Sequence, residues 1–318
     1  MDEKILDLLR RNQDYISGED LAQELDITRS AVHKHVEKLR TEGYDILAVP
    51  HLGYKLVKIP DKLTGEEISW KLGTKIIGNK IYSYQKTAST MDIAHKLAQS
   101  HTAEGTCIFA EEQTKGRGRM QRHWISPKGD GIYFSVVLYP DMPAQEAPKI
   151  TLMTAVSVAL AIRKITPLMP LIKWPNDILI NGKKVCGILT EMEAEPDAMR
   201  YVVLGIGVNA NTKKEDLPKT ASSLKEQLGS SVSRIELAKE LLRELDENYA
   251  LFKKEGFRKI IKLWREYSST LGLRLRVMSH GRKVEGHAMD VDESGALLVR
   301  LDSGFIERVL AGDVVILR

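Results

Sequence analysis

Residues 115–124 read KGRGRMQRHW. Together with Lys128 they place five cations, Lys115, Arg117, Arg119, Arg122 and Lys128, in fourteen residues without one acid. Gly116 and Gly118 carry no β-carbon, so backbone N–H groups can approach an anion closely. That combination suits a polyphosphate. The spacing is neither that of a Walker loop nor that of a dinucleotide fingerprint. A solvated basic loop would use the same residues, and Trp124 suits either a core anchor or a platform for a base. In KWPNDI, residues 173–178, Pro175 forces an extended approach that delivers Asn176 and Asp177 at a strand edge. A bare turn would read the same way. Lys183 and Lys184, however, follow an Asn181-Gly182 hairpin turn, which can bring a lysine beside the same cleft as Asp177. GIGVN, residues 205–209, ends a strand on Asn209, a side chain that both donates and accepts.

These segments need a sheet to position them. From residue 80 to 207 the chain alternates strand-like runs (IYSY, TCIFAEE, GIYFSVVL, LIKW, ILI, VCGILTEM, YVVLGIGV) with helical patterns over 91–99 and 148–164. This predicts a mixed α/β domain. Helical patterns return over 234–253 and 257–267. Residues 273–318 then read as short strands with turns at His280-Gly281, Ser294-Gly295 and Ser303-Gly304, the pattern of a small all-β, SH3-like barrel.

Ahead of this domain, Ile5, Leu8 and Leu9 mark a first helix. Ser17 with Asp20 opens a second over Leu21 and Leu25, and Thr28 caps a third that turns Val32, Val36 and Leu39 inward. The third helix presents Arg29, Ser30, His33, Lys34 and Lys38 outward. A hairpin around Pro50 and Gly53 follows. Three helices and a hairpin make a winged helix-turn-helix, whose third helix fits a major groove while its cations neutralise phosphates. Thr28, Arg29, Ser30, His33, Lys34 and Lys38 are the expected DNA contacts; a protein-interaction module is the other use of such a unit. Residues 1–60 carry 9 Lys/Arg against 11 Asp/Glu, so any DNA contact must come from the segment 28–41 rather than from overall charge. Ile59, Pro60 and Asp61 mark a boundary, and Thr64 with Glu67 starts the next helix. The expected domains are therefore 1–60, 64–270 and 271–318.

With 318 residues, 43% hydrophobic and 28% charged, the chain has the composition of an ordinary globular protein of two or three domains, which excludes wholesale disorder. The most hydrophobic run, residues 152–162, is too short for a membrane span, and the N-terminus lacks signal-peptide character. The expected location is the cytoplasm. Cys107 and Cys186 are too few for a disulfide framework and the wrong pattern for zinc, and no metal ligands are expected. Small buried thiols are the plain reading of both. A thiol nucleophile at Cys186 stays open.

In order and approximate spacing, the winged helix, the GRGR…W loop, KWPND, the Lys-Lys before GIL, and GIGVN resemble the bifunctional biotin protein ligases that also act as biotin operon repressors. The resemblance covers nearly the whole chain. It implies that biotin and MgATP form biotinyl-5′-AMP and pyrophosphate, and that a lysine of a biotin-acceptor domain of a carboxylase then takes the biotinyl group. Attack of a carboxylate on a phosphate needs clustered positive charge and excluded water, which an arginine-rich loop supplies. The resemblance further implies that Ser89, Thr90 and Gln113 contact the biotin ureido ring while Gly116 and Arg117 close over it. It gives Arg119 and Arg122 phosphate and carboxylate oxygens, and Lys184 a bridge between the biotin carboxylate and the α-phosphate. Trp124 would stack near adenine, Asn209 and the C-terminal Arg318 would hold the nucleotide, and Asp177 would orient the acceptor lysine. Lys184, Asp177 and Arg119 are the expected catalytic set. The adenylate would also be the corepressor, favouring a homodimer on palindromic operator DNA. Some members carry an aromatic on the loop after GIGxN; residues 211–224 here contain none. Two further readings share these residues. One is a ligand-sensing transcription factor without turnover, against which intact Lys184, Asp177 and Arg119 stand. The other is a lipoate or octanoate transferase using Cys186 or Lys184, against which the long loop with KWPND stands.

Overall fold

Apolar residues at helical spacing build the first unit of the computed structural model, which describes residues 1–12, 14–195, 199–279 and 281–317. Helices α1 (Asp2–Arg11), α2 (Gly18–Leu25) and α3 (Arg29–Glu42) bury Ile5, Leu9, Leu21, Val32, Val36 and Leu39 against one another. The side chains of Ser17 and Thr28 accept from the backbone N–H of Asp20 and Ala31, satisfying donors left free in the first turns of α2 and α3. Strands β1 (Asp45–Val49) and β2 (Gly53–Lys58) pair antiparallel as the wing. Contacts divide the chain into Met1–Lys62 and Leu63–Arg318.

The second unit opens with α4 (Gly65–Ser69), capped by Thr64 as its spacing to Glu67 predicts. A seven-stranded sheet follows. Its strands are β3 (Ile81–Tyr84), β4 (Cys107–Ala110), β5 (Ile132–Leu138), β6 (Leu171–Lys173), β7 (Asp177–Ile180), β8 (Lys183–Ala194) and β9 (Met199–Val208). They lie in the order β3-β4-β5-β9-β8-β7-β6, parallel only between β3 and β4. Asn181 and Gly182, both at positive φ, make the tight turn between β7 and β8.

Helix α5 (Thr90–Gln99) packs on one face, where Met91, Ala94 and Ala98 meet Val137, Tyr201 and Val203. The other face carries α6 (Ala147–Ile165), which packs in turn on α8 (Arg234–Glu255) and α9 (Arg258–Tyr267). A short α7 (Leu224–Leu228) follows the loop after β9; the sequence pattern did not announce it.

Strands β10 (Arg274–Ser279), β11 (Arg282–Val291), β12 (Leu297–Leu301), β13 (Ile306–Val309) and β14 (Asp313–Ile316) form an antiparallel sheet ordered β13-β12-β11-β10-β14. The expected small barrel is present as an antiparallel sheet that is not closed: among the described residues no ladder joins β13 to β14. These edge strands have four residues each and pair on one side only, β13 with β12 and β14 with β10. Residues 310–312 nevertheless join opposite edges, which curls the sheet strongly. Gly281, Gly295 and Gly304 take the positive φ expected of their turns; His280 lies outside the described residues. Among the described residues no helix is long and apolar enough to cross a membrane.

Candidate active site

Strands β8 and β9 alternate, so Gly187 and Leu189 share the α5 face of the sheet with Gly205 and Gly207. Over them lies a cavity of about 310 Å³ lined by Ser89, Thr90, Gln113, Arg117, Arg119, Arg122, Trp124, Asp177, Lys184 and Asn209 among others. Eleven expected small-molecule residues thus converge, counting Gly116, which is buried at the cavity's edge in the hairpin that carries Arg117. Arg318 lies outside the described residues.

At one end the first turn of α5 meets the loop. Thr90 donates through its backbone N–H and hydroxyl to Gln113 Oε1 (2.9 and 3.2 Å), and Gln113 Nε2 donates to Ser126 Oγ at 3.1 Å. Ser89 caps α5 by position but makes no side-chain cap bond, leaving its hydroxyl at the helix N-terminus to accept from Arg117 (3.4 Å). The site loop is a small hairpin: Trp124 N donates to Gly116 O and Gly118 N to Arg122 O, both at 2.8 Å. A β-carbon on Gly116 would stand 2.5 Å from Trp124 O, so glycine is required by this close approach.

Trp124 lies in the cavity wall rather than in the core. Its ring packs on Gly207, where a β-carbon would come within 2.4 Å of Nε1, and on Gly187. The indole N–H is buried without a hydrogen-bond partner among the described residues. Lys184 Nζ stands 5.4 Å from the ring centroid and 2.5 Å from Asp177 Oδ1. The hairpin register explains this meeting, since Leu179 pairs with Lys184 and Asp177 with Gly187 across a bulge.

The arginines differ. Arg117 is neutralised by Glu191 and Asp92. Arg119 makes no ion pair among the described residues; its Nη1 donates to Asn176 Oδ1 and Gly312 O, both at 3.1 Å. Burial pushes the Arg119 guanidinium below its ordinary range. Arg122 reaches Asp313 on β14. Asn209 is buried, donates to Ser222 O at 3.0 Å, and so secures the loop whose Leu217, Pro218, Thr220 and Ala221 wall the cavity. Cys186 is fully buried and points off the cavity face, with burial pushing its thiol up; Cys107 is likewise buried. Neither thiol is placed as a nucleophile. Among the described residues no cluster of three or more His, Cys, Asp or Glu could hold a metal ion.

Sequence reading missed Glu191, Asp92, His95 and Asp313, and gave Asn176 no role. Asn176 is buried, donating to Ile188 O at 2.6 Å while accepting from Arg119. The period-2 pattern running from Gly187 through Leu189 was the signal for Glu191.

Thr28, the N-cap of α3, and Arg29, Ser30, His33, Lys34 and Lys38 on the helix are all exposed. Lys38 is already engaged, at 2.5 Å from Asp2, and His35 holds the other oxygen of that carboxylate.

The model of the biotin/lipoate A/B protein ligase family matches residues 83–209, a helix-turn-helix domain matches 2–55, and the biotin protein ligase C-terminal domain matches 270–317. The bifunctional ligase/repressor BirA of Bacillus subtilis is 39% identical over 305 residues, 95% of this chain and 94% of that relative. This chain belongs to the bifunctional biotin ligase/repressor family. The Escherichia coli member is 28% identical over 98% of this chain and 95% of its own length. A solved biotin protein ligase from Aquifex aeolicus, in complex with biotin and ATP, superposes with a TM-score of 0.64 at 29% identity, covering 76% of this chain and 99% of that one. As a family member the chain is a biotin protein ligase and a repressor, with biotin and ATP as ligands.

Proposed function

We propose that the cavity activates biotin with MgATP and hands the biotinyl group to a lysine of a biotin-acceptor domain, through the residues described above. The carrying observation is the convergence of Lys184, Arg119 and Arg122 on one partly enclosed cavity beside Thr90, Gln113 and Trp124. One biotin carboxylate oxygen attacks the α-phosphorus and pyrophosphate leaves; the acceptor amine then attacks the acyl carbon and AMP leaves. Both steps gather negative charge. Lys184 and Arg119, shielded from bulk water, stabilise it more strongly than they would in solution. Arg119 suits this role because its hydrogen-bond partners are neutral and no carboxylate is directly paired with it among the described residues. Asp177, once Lys184 turns to the phosphate, is free to accept the proton of the incoming ammonium. Ser89, Thr90 and Gln113 hold the ureido ring under Gly116 and Arg117, Trp124 stacks on adenine, and Asn209 acts through its loop, with Arg318 as a further nucleotide contact. Magnesium arrives with the nucleotide as substrate.

The same reading gives residues 1–60 to operator DNA, 64–270 to the ligase, and 271–318 to the C-terminal domain. Thr28, Arg29, Ser30, His33, Lys34 and Lys38 contact DNA as a homodimer forms on the adenylate, in the cytoplasm. The test is pyrophosphate release and transfer to an acceptor domain. Lys184→Ala should lower release about a hundred-fold while keeping the fold. Unimpaired release would remove Lys184 from the mechanism, and biotin binding without any release by the parent chain would favour a sensor.

A further inference from the structure

Arg117 spends its whole guanidinium on protein. Its Nε and Nη2 donate to the two oxygens of Glu191 (3.2 and 3.0 Å), and Nη1 donates to Asp92 Oδ1 at 2.5 Å as well as to Ser89. Glu191 projects from β8 and Asp92 from α5, so one side chain of the loop fastens it to both elements bordering the cavity mouth. Glu191 is itself held from behind. His95 Nε2 lies 2.8 Å from Glu191 Oε2, and the His95 ring stands edge-on to Tyr201, centroids 5.7 Å apart. Tyr201 donates to Glu193 at 2.7 Å, which orients the phenol.

Because Gly116 bonds to Trp124 and Gly118 to Arg122, residues 116–124 form one hairpin, and fastening Arg117 fastens all of it. A loop carrying so many like charges repels itself and needs counter-charges to stay down. Arg119, two residues on, makes no direct ion pair among the described residues, with Asp313 and Asp177 acting on it only across a distance. Glu191 and Asp92 therefore serve the loop's position through Arg117 and make no direct contact with Arg119.

We propose that Glu191 and Asp92, with His95 behind Glu191, form a latch that holds the Arg117 hairpin closed over the biotin subsite, and that they are positioning residues for biotin rather than for ATP. The proposal rests on the ligase reading for the identity of the ligand, but the latch itself does not.

Trypsin measures the latch directly, because Lys115 at the foot of the hairpin and Arg117, Arg119 and Arg122 within it are cleavage sites. In full-length chains without biotin, Glu191→Gln and Asp92→Asn should be cut within 115–122 about five-fold faster than the parent, with the thermal midpoint of the whole chain nearly unchanged. In pyrophosphate release the biotin KM should rise about five-fold, with kcat and the ATP KM within about two-fold of the parent. His95→Gln, which still donates, should restore most of what His95→Ala loses. Parental cleavage rates in both carboxylate variants overturn the latch. Faster cleavage with an unaltered biotin KM overturns its action on biotin. If Glu191→Gln lowers the midpoint, the exposed Asp92→Asn decides. A parent chain that releases no pyrophosphate with biotin defeats the ligase reading, while the cleavage rates still judge the latch.

Discussion

Arg117 and Arg119 stand two residues apart in one loop and face opposite electrostatic surroundings. Two carboxylates raise the proton affinity of Arg117, Glu191 contributing most, whereas burial lowers that of Arg119. The first side chain anchors and the second waits for an anion. Glu191 bears the matching signature: its hydrogen bonds to His95 and Arg117 hold its carboxyl down to about 2, against an ordinary 4.5. A carboxylate whose pKa is depressed by folding stabilises the fold above its ordinary value and loses that contribution as pH falls through the folded one. The stability gap between the parent chain and Glu191→Gln, read by urea unfolding, should therefore be full above about pH 5 and shrink progressively between about pH 4.5 and 2. A gap that does not narrow over that window would mean Glu191 is not ionised in its network.

At the scale of single elements, β8 and β9 supply a floor without side chains for one indole. Gly207→Ala would drive a β-carbon against Trp124 Nε1, where 2.4 Å is available. Overpacking of this kind costs about 1–3 kcal/mol, and the displaced ring should also raise the ATP KM. Denaturant unfolding together with ATP titration checks both; an unchanged ATP KM would argue against stacking on Trp124. On α3, Lys34 is exposed without an ion pair among the described residues, whereas Lys38 is paired with Asp2 and lies near Glu42. Lys34→Ala should reduce the slope of log operator affinity against log salt by about 1. Lys38→Ala should change it less, because releasing Lys38 from Asp2 offsets its gain at a phosphate. Equal slopes for the two variants would contradict this ranking.

Across the second unit as a whole, a buried ion pair ties the site loop to distant chain. Glu111, just after β4, accepts from Arg234 at the start of α8 (2.7 Å) and from Leu63 N (2.7 Å), while Arg234 also donates to Gly131 O at 3.2 Å. The two side chains are 5% and 2% exposed, so either charge left alone would be stranded in a low-dielectric interior. Arg234→Met should cost about 3–5 kcal/mol, and the double change with Glu111→Leu should recover most of it, as measured by denaturant unfolding. A double variant as unstable as the single one would show that the pair's hydrogen bonds to Leu63 and Gly131 matter more than its charge balance. Because Glu111 and Gly131 flank the basic loop, this pair also sets where the loop begins and ends.

Local pattern determined a good deal. Capping residues and apolar spacing announced α1 to α3, Asn181-Gly182 announced the β7–β8 turn, and that turn showed that Lys183 or Lys184 can come beside Asp177; the register of the hairpin decided for Lys184. Each of these depends on residues a few positions apart, where backbone geometry transmits the information directly. Tertiary structure decided the rest. Nothing near Arg117 in the chain says that Asp92 and Glu191, 25 and 74 residues away, will neutralise it. That follows from the order β5-β9-β8 and from which face of β8 meets α5. The open edge of the C-terminal sheet and the choice of Trp124 as a wall rather than a core residue have the same origin. They depend on strand partners and packing distances that become defined only when segments far apart in sequence bury a common surface.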